Sequence, residues 1–331
     1  MARYDVVTLG ETMLRLMPPG LQRLEQATNL EIEVGGTESN LAIGIARLGL
    51  TVLWLSRLTA NPLGRIIART IAGYGVDTSR VIWTDEDRVG LLFFEEGKPP
   101  RSSRVIYDRR QSAISQMRPE ELPIDLFQPD VARLFHTTGI TVALGPHSAA
   151  TVLHAVHLAQ AAGWLVSFDL NYRRQLWEPA TALQGCEPYC AAADLLFVPR
   201  GDACTLYGFA PTTAAERILE TLARRYPQAT IVLTLGAEGA LGYEPQGQVI
   251  RQAAFPAQEV GRLGGGDAFA AGFVYRYLTA TIPNDRLAQA LRWGAAMAAL
   301  KYSVRGDIPV VERHEVEDLM AQGSVAPRLM R

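Results

Sequence analysis

Gly261-Arg262-Leu263-Gly264-Gly265-Gly266-Asp267-Ala268-Phe269-Ala270-Ala271-Gly272-Phe273 is the most informative stretch of the chain. Three consecutive glycines run into an aspartate and then into an alanine-rich apolar segment that reads as a helix. Glycine lets backbone N–H groups approach a ligand closely. A helix start adds unpaired N–H donors and the positive end of the helix dipole. Together they make a pocket for an anion such as a phosphate, with Asp267 at its mouth. A carboxylate beside a phosphate calls for a reason, because like charges repel. Removal of a hydroxyl proton as that oxygen attacks phosphorus supplies one. An aspartate that simply caps the helix is the plain alternative.

Working outward, a second glycine pair, Gly35-Gly36, leads through Thr37-Glu38-Ser39-Asn40 into another helical segment. Two glycine-to-helix junctions suit two ligands. The surrounding chain alternates: strands at 6–10, 52–56, 164–170, 195–198 and 230–234, and helices at 40–48, 63–74, 148–162 and 213–225. Gly49 and Gly75 stand where helices of this kind end. Such alternation predicts a parallel sheet with helices on both faces. Two regions depart from it, about 11–35 and 88–110. They read as strands, the second pair joined by a Gly97-Lys98-Pro99-Pro100 turn. They are expected to pair into a small sheet that serves as a lid. Nothing marks a linker or repeat, so residues 1–331 read as a single domain.

Composition narrows the function classes. The 331 residues are 48% hydrophobic and 20% charged, which fits a globular chain with a large core. A net charge of −2 lacks the basic surplus of a nucleic-acid binder. Three cysteines, Cys186, Cys190 and Cys204, make no disulfide framework and point to a reducing, cytoplasmic setting. Neither they nor His154 and His157 have the companions of a zinc site. Residues 6–9 are too short an apolar run for a signal-peptide core, and no stretch is long enough to span a membrane. The P-loop, protein-kinase and Rossmann signatures are all absent.

Gly35-Gly36-x-x-x-Asn40 resembles the N-terminal signature of the ribokinase-type (PfkB) carbohydrate kinases, and Gly264-Gly265-Gly266-Asp267 resembles their C-terminal signature. Finer features are similar to the 2-keto-3-deoxygluconate kinases: Gly10-Glu11, Glu38, Tyr107-x-Arg109, Ser112-Ala113, Asp169-x-Asn171-Tyr172-Arg173 and Arg305-Gly306-Asp307. The resemblance covers essentially the full length. It implies an α/β fold, a ribokinase-like three-layer α/β/α sandwich with a mostly parallel sheet and a β lid. It implies ATP-dependent phosphorylation, with Mg2+, of the primary hydroxyl of a sugar acid, converting 2-keto-3-deoxygluconate to its 6-phosphate. By the same resemblance Asp267 is the general base, and the amides of Gly264, Gly265 and Gly266 hold the charge on the moving phosphoryl group. Thr234, Gly236, Gly239 and Asn171, with Gly264 and Gly266, would bind ATP. Gly35, Gly36, Asn40, Tyr107, Arg109, Arg173 and Asp307 would bind the sugar acid.

Arginine matches a carboxylate with paired hydrogen bonds. Arg109 and Arg173, with Glu38, therefore favour an acidic substrate over fructose, whose kinases are the rival within the class. A non-catalytic sugar- or nucleotide-binding protein is the rival outside it. The alternatives for individual residues are a solvated charge cluster for Arg109 and a packed strand aromatic for Tyr107.

Three departures from the family pattern bear on the site. Gly261-Arg262 replaces the Asp-Thr near which many relatives hold a monovalent cation, which leaves that cation open and makes Arg262 a candidate fixed charge. Pro199-Arg200-Gly201-Asp202 replaces Asn-x-x-Glu near the magnesium, leaving Asp202 to act through water. Leu92 stands where the keto-acid kinases often carry tyrosine. Finally, an isolated small sheet has exposed edges, so two lids are expected to pack together in a homodimer or a higher homo-oligomer.

Overall fold

The computed structural model describes residues 2–245, 247, 249–261 and 263–322. Its centre is an eight-stranded sheet. Six strands run parallel, in the spatial order Val52–Leu55, Tyr4–Leu9, Ala132–Thr138, Leu165–Asp169, Leu195–Pro199 and Thr230–Thr234. Ala240–Tyr243 and Ile250–Gln252 extend the last edge antiparallel. The six parallel strands are short, rich in Val, Leu and Phe, and nearly all buried, as a sheet covered on both faces requires.

Successive residues point to opposite faces, which splits the core into two layers. Val7, Leu9 and Phe135 pack beneath the helices Pro146–Ala161, Pro179–Ala192 and Ala215–Arg225. Val6, Trp54, Leu134 and Phe197 pack beneath Thr37–Arg47, Pro62–Gly73, Gly265–Thr279 and Arg286–Tyr302. Gly49 and Gly75 adopt positive φ just past the first two of this second group. Cys186 and Cys190 are buried free thiols within the first layer, and His154 and His157 lie on the exposed face of their helix.

The two departing regions form one four-stranded sheet in the order Glu31–Gly35, Met13–Met17, Leu91–Glu95, Arg104–Asp108. Its register puts Leu16 between Ile32 and Phe93, and Phe93 opposite Ile106. The other face carries Met13, Arg15, Leu92 and Tyr107, with Leu92 opposite Tyr107. That face looks back toward the carboxyl ends of the central strands. The chain leaves the Tyr4–Leu9 strand toward one side and later returns on its other side at Ala132–Thr138. Such a reversal opens a crevice at the strand ends, where ligands of open α/β sheets bind.

Candidate functional site

Two cavities meet in that crevice. The first, of about 320 Å³, lies under the lid and is lined by Glu11, Gly35, Gly36, Asn40, Leu92, Tyr107, Arg109, Asp169, Asn171, Arg173, Asp267 and Asp307, among others. The second, of about 740 Å³, lies over the sheet edge and is lined by Thr234, Leu235, Gly236, Gly239, Phe255, Phe269, Ala295, Ala298 and Tyr302, among others. Pro199, Gly265 and Gly266 line both. The start of the Gly265–Thr279 helix is thus the partition between a polar cavity and a larger, mostly apolar one.

The glycine run explains this placement. Gly264 is the residue before the helix and has φ +75°, a left-handed conformation that glycine adopts freely. A Cβ there would lie 2.0 Å from the Asp307 carbonyl oxygen. The first intrahelical bond runs from the Ala268 amide to the Gly264 carbonyl, so the amides of Gly265, Gly266 and Asp267 precede the helical ladder. The second junction works by close approach: a Cβ on Gly36 would lie 2.2 Å from the Glu11 carbonyl oxygen.

Asp267 sits in the first turn but does not cap the helix. Its Oδ2 accepts a 2.7 Å hydrogen bond from Asn40 Nδ2, across 227 residues. The capping alternative therefore gives way to a carboxylate oriented from the opposite junction. Burial pushes its pKa up to about 6; the Asn40 bond opposes this, Asp307 adds to it, and Arg173 and Lys301 oppose it. A base titrating just below neutral pH is ionised when needed yet basic enough to take a proton. Asn40 itself is buried, and its Oδ1 makes no hydrogen bond among the described residues.

Asp169 carries no role in the sequence reading beyond the Asp-x-Asn-Tyr-Arg pattern, yet it reaches the same cavity. Its Oδ1 is buried and without a partner among the described residues, while Oδ2 accepts from Asn171 Nδ2 at 3.3 Å. Burial, together with the nearby charges of Asp267 and Asp202, raises its pKa to about 8. Burial thus favours the protonated form more strongly at Asp169 than at Asp267. Two carboxylates in one cavity are separated in protonation by their surroundings.

The remaining expected residues divide. Thr234, Gly236 and Gly239 line the apolar cavity, whereas Asn171 lines the polar one. Arg173 is exposed at the mouth of the polar cavity, its Nη1 donating to the Tyr172 carbonyl. Arg109 also reaches the cavity, but its Nη2 is bound to the buried Glu11 carboxylate. Glu11 takes one end of the Arg109 guanidinium, while its Nε makes no hydrogen bond among the described residues. Tyr107 is a partly exposed lid residue lying against the Arg109 guanidinium. Asp307 pairs with Arg15 at 2.8 Å, and Arg15 is also bound to Glu33. Asp202 lines neither cavity; its Oδ2 accepts from the Tyr172 amide at 2.8 Å and so holds the loop that carries Asn171 and Arg173.

Glu38 overturns its expectation as a substrate determinant. It is buried beneath Gly10, its Oε1 accepting from Thr138 at 2.8 Å and Thr141 at 2.7 Å, and it lines neither cavity. Thr37 and Asn40, one helical turn apart, face the polar cavity while Glu38 points away from it. Arg262 lies outside the described residues.

The pfkB family carbohydrate kinase model matches residues 3–313. A 2-dehydro-3-deoxygalactonokinase from Haloferax volcanii is 39% identical, covering 96% of this chain and 97% of its own length. A 2-dehydro-3-deoxygluconokinase from Bacillus subtilis is 31% identical over 92% of each chain. Among solved structures, a 2-dehydro-3-deoxygluconokinase from Thermotoga maritima superposes with a TM-score of 0.88 at 31% identity, covering 96% of this chain and 98% of its own. The lid over a polar cavity, the glycine partition and this full-length similarity lead to one conclusion: the chain belongs to the pfkB family of carbohydrate kinases.

Proposed function

We propose that the chain phosphorylates the terminal primary hydroxyl of a 2-keto-3-deoxy sugar acid, with 2-keto-3-deoxygluconate (2-dehydro-3-deoxygluconate) as substrate and its 6-phosphate as product. The observation that carries this is the pairing of Asp267 with Asn40 where the two cavities meet. The sugar acid occupies the polar cavity and ATP the apolar one, with adenine among Leu235, Phe255 and the alanines of the Arg286–Tyr302 helix. Asp267 takes the proton of the hydroxyl as that oxygen attacks the γ-phosphorus; the bond between γ-phosphorus and the β,γ-bridging oxygen breaks and ADP leaves. The amides of Gly265 and Gly266 meet the charge on the transferring group.

The exposed guanidinium of Arg173 receives the substrate carboxylate, and Asp169, in its protonated form, donates to an oxygen beside it. The named activities of the Haloferax, Bacillus and Thermotoga relatives agree with an acidic, keto-bearing substrate. Magnesium usually keeps several waters and takes one or two carboxylates along with phosphates. The described residues hold no cluster of three ligating side chains. Asp202 lines neither cavity and holds the Tyr172 amide, so the ion would be held chiefly by phosphates and water. When bound, the ion neutralises phosphate charge.

We further propose that the chain works as one kinase unit in the cytoplasm and as a homodimer. No helix among the described residues is long and apolar enough to cross a membrane. The outer lid face presents Ile32, 53% exposed, and Ile106, 42% exposed, in one row with Leu16 and Phe93. A second lid laid on that row would cover it. A monomeric mass at micromolar concentration would contradict the dimer.

The test of substrate is ADP release with magnesium-ATP against 2-keto-3-deoxygluconate, its galacto epimer, fructose, ribose and adenosine. Turnover confined to the keto acids is expected. Turnover on fructose would keep the kinase and overturn the role given to Arg173.

A further inference from the structure

Lys301 is 0% exposed, at the last turn of the Arg286–Tyr302 helix, and the reaction above makes no use of it. A buried ammonium is costly unless its charge is answered. Its Nζ donates to the Val304 carbonyl at 3.1 Å. The charged groups acting on it are Asp307 and Asp267, which favour the ammonium form, and Arg15, which opposes it; burial weighs most and pulls its pKa below that of an ordinary lysine.

The segment that Lys301 anchors, residues 301–307, forms the back wall of the glycine run. Val260 and Gly261 donate their amides to the Tyr302 carbonyl, at 2.8 and 3.3 Å. A Cβ on Gly261 would touch the Val304 carbonyl oxygen at 3.1 Å, and one on Gly264 the Asp307 carbonyl oxygen at 2.0 Å. The position of the amides that receive the phosphoryl group therefore depends on a strap whose carbonyl is held by an internal cation. A monovalent ion supplied from solution would have the same chemistry: one positive charge on backbone carbonyl oxygen behind an anion site.

We propose that Lys301 is the chain's built-in monovalent cation, a positioning residue that fixes the 301–307 strap behind the glycine run and adds positive charge there, so that the kinase needs no added potassium. Arg262, the candidate from sequence, is not required for this. The inference rests on the glycine run being the phosphoryl site.

The test compares wild type, Lys301→Met, Lys301→Ala and Asp267→Asn, all assayed in a tetramethylammonium buffer with potassium or ammonium chloride added. Wild type should respond less than about twofold to either ion. Lys301→Met keeps the side-chain length without the charge; it should fold and lose on the order of 10–100-fold in kcat, by analogy with loss of one preorganised donor. Lys301→Ala opens space beside the Val304 carbonyl and should be restored in part by potassium or ammonium, not by tetramethylammonium. Wild-type kcat in Lys301→Met, strong potassium activation of wild type, or a Lys301→Ala that no ion restores would each overturn the proposal. If Asp267→Asn stays active, it is the reading of the phosphoryl site that fails instead.

Discussion

Asn40→Ala separates a base held by its neighbour from a carboxylate that merely lies in a cavity. Burial raises the Asp267 pKa to about 6, and the bond from Asn40 Nδ2 is the largest influence opposing that rise. A hydrogen bond to a charged group is worth about 1.5–3 kcal/mol, and one pKa unit corresponds to about 1.36 kcal/mol. Removing the donor should therefore raise the Asp267 pKa by about one to two units, to roughly 7 or 8. The base works ionised, so the acid limb of kcat should move in the same direction, from about 6 to 7 or above. At pH 6 the variant should lose about tenfold beyond whatever it loses at pH 9, where both enzymes are fully ionised. The assay is coupled ADP release across pH 5–9 at saturating substrates. Since Asn40 also lines the sugar cavity, a pH-independent rise in KM is compatible with the argument. An acid limb that stays in place, or moves to lower pH, would refute it.

Other consequences follow from the same geometry. Arg173→Ala should raise KM for the keto acid about tenfold or more, since a charge-assisted pair is lost, while leaving any slow turnover of neutral sugars unchanged in steady-state assays. Gly264→Ala should lower stability to denaturant by at least about 1–2 kcal/mol, because a Cβ is strained at positive φ and meets the Asp307 carbonyl; Gly266→Ala, with open space at its Cβ, should not. Glu38 is raised from 4.5 to about 7 by burial. The native state thus holds its proton where the unfolded chain has lost it, so its contribution to stability falls as pH rises from about 4.5 to 7. Glu38→Gln should gain on wild type across that window by on the order of 2–3 kcal/mol in denaturant unfolding; a constant difference would contradict a carboxyl whose pKa is raised by burial.

What was legible in the sequence was what local pattern encodes. The glycine-to-helix junctions, the alternating strands and helices, and the lid strands each announce themselves within a dozen residues, and each stands close to its expected position. The partnerships between distant segments were not legible. Nothing near Asn40 says that its amide meets Asp267 rather than a sugar hydroxyl alone, or that Arg15, inside an ordinary lid strand, closes an ion pair with Asp307. Glu38 and Asn40 differ by two positions on one helix, and two positions are enough to send one into the core and the other to the cavity. Arg109 lines the polar cavity, but the Glu11 that pairs with it lies far away in sequence. Asp169 was hidden for a further reason: its significance is its protonation, which burial and two neighbouring carboxylates create.

The central claim, that Asp267 removes the proton while the adjoining amides receive the phosphoryl group, is tested most directly by single-turnover phosphorylation of 2-keto-3-deoxygluconate by Asp267→Asn, with ATP and sugar-acid binding measured separately. General-base assistance is typically worth about 10²–10⁴ in rate. The account predicts a loss of that order in the phosphoryl-transfer step with both ligands still bound. A variant that transfers at the wild-type rate, or that loses activity only because a ligand no longer binds, would contradict it.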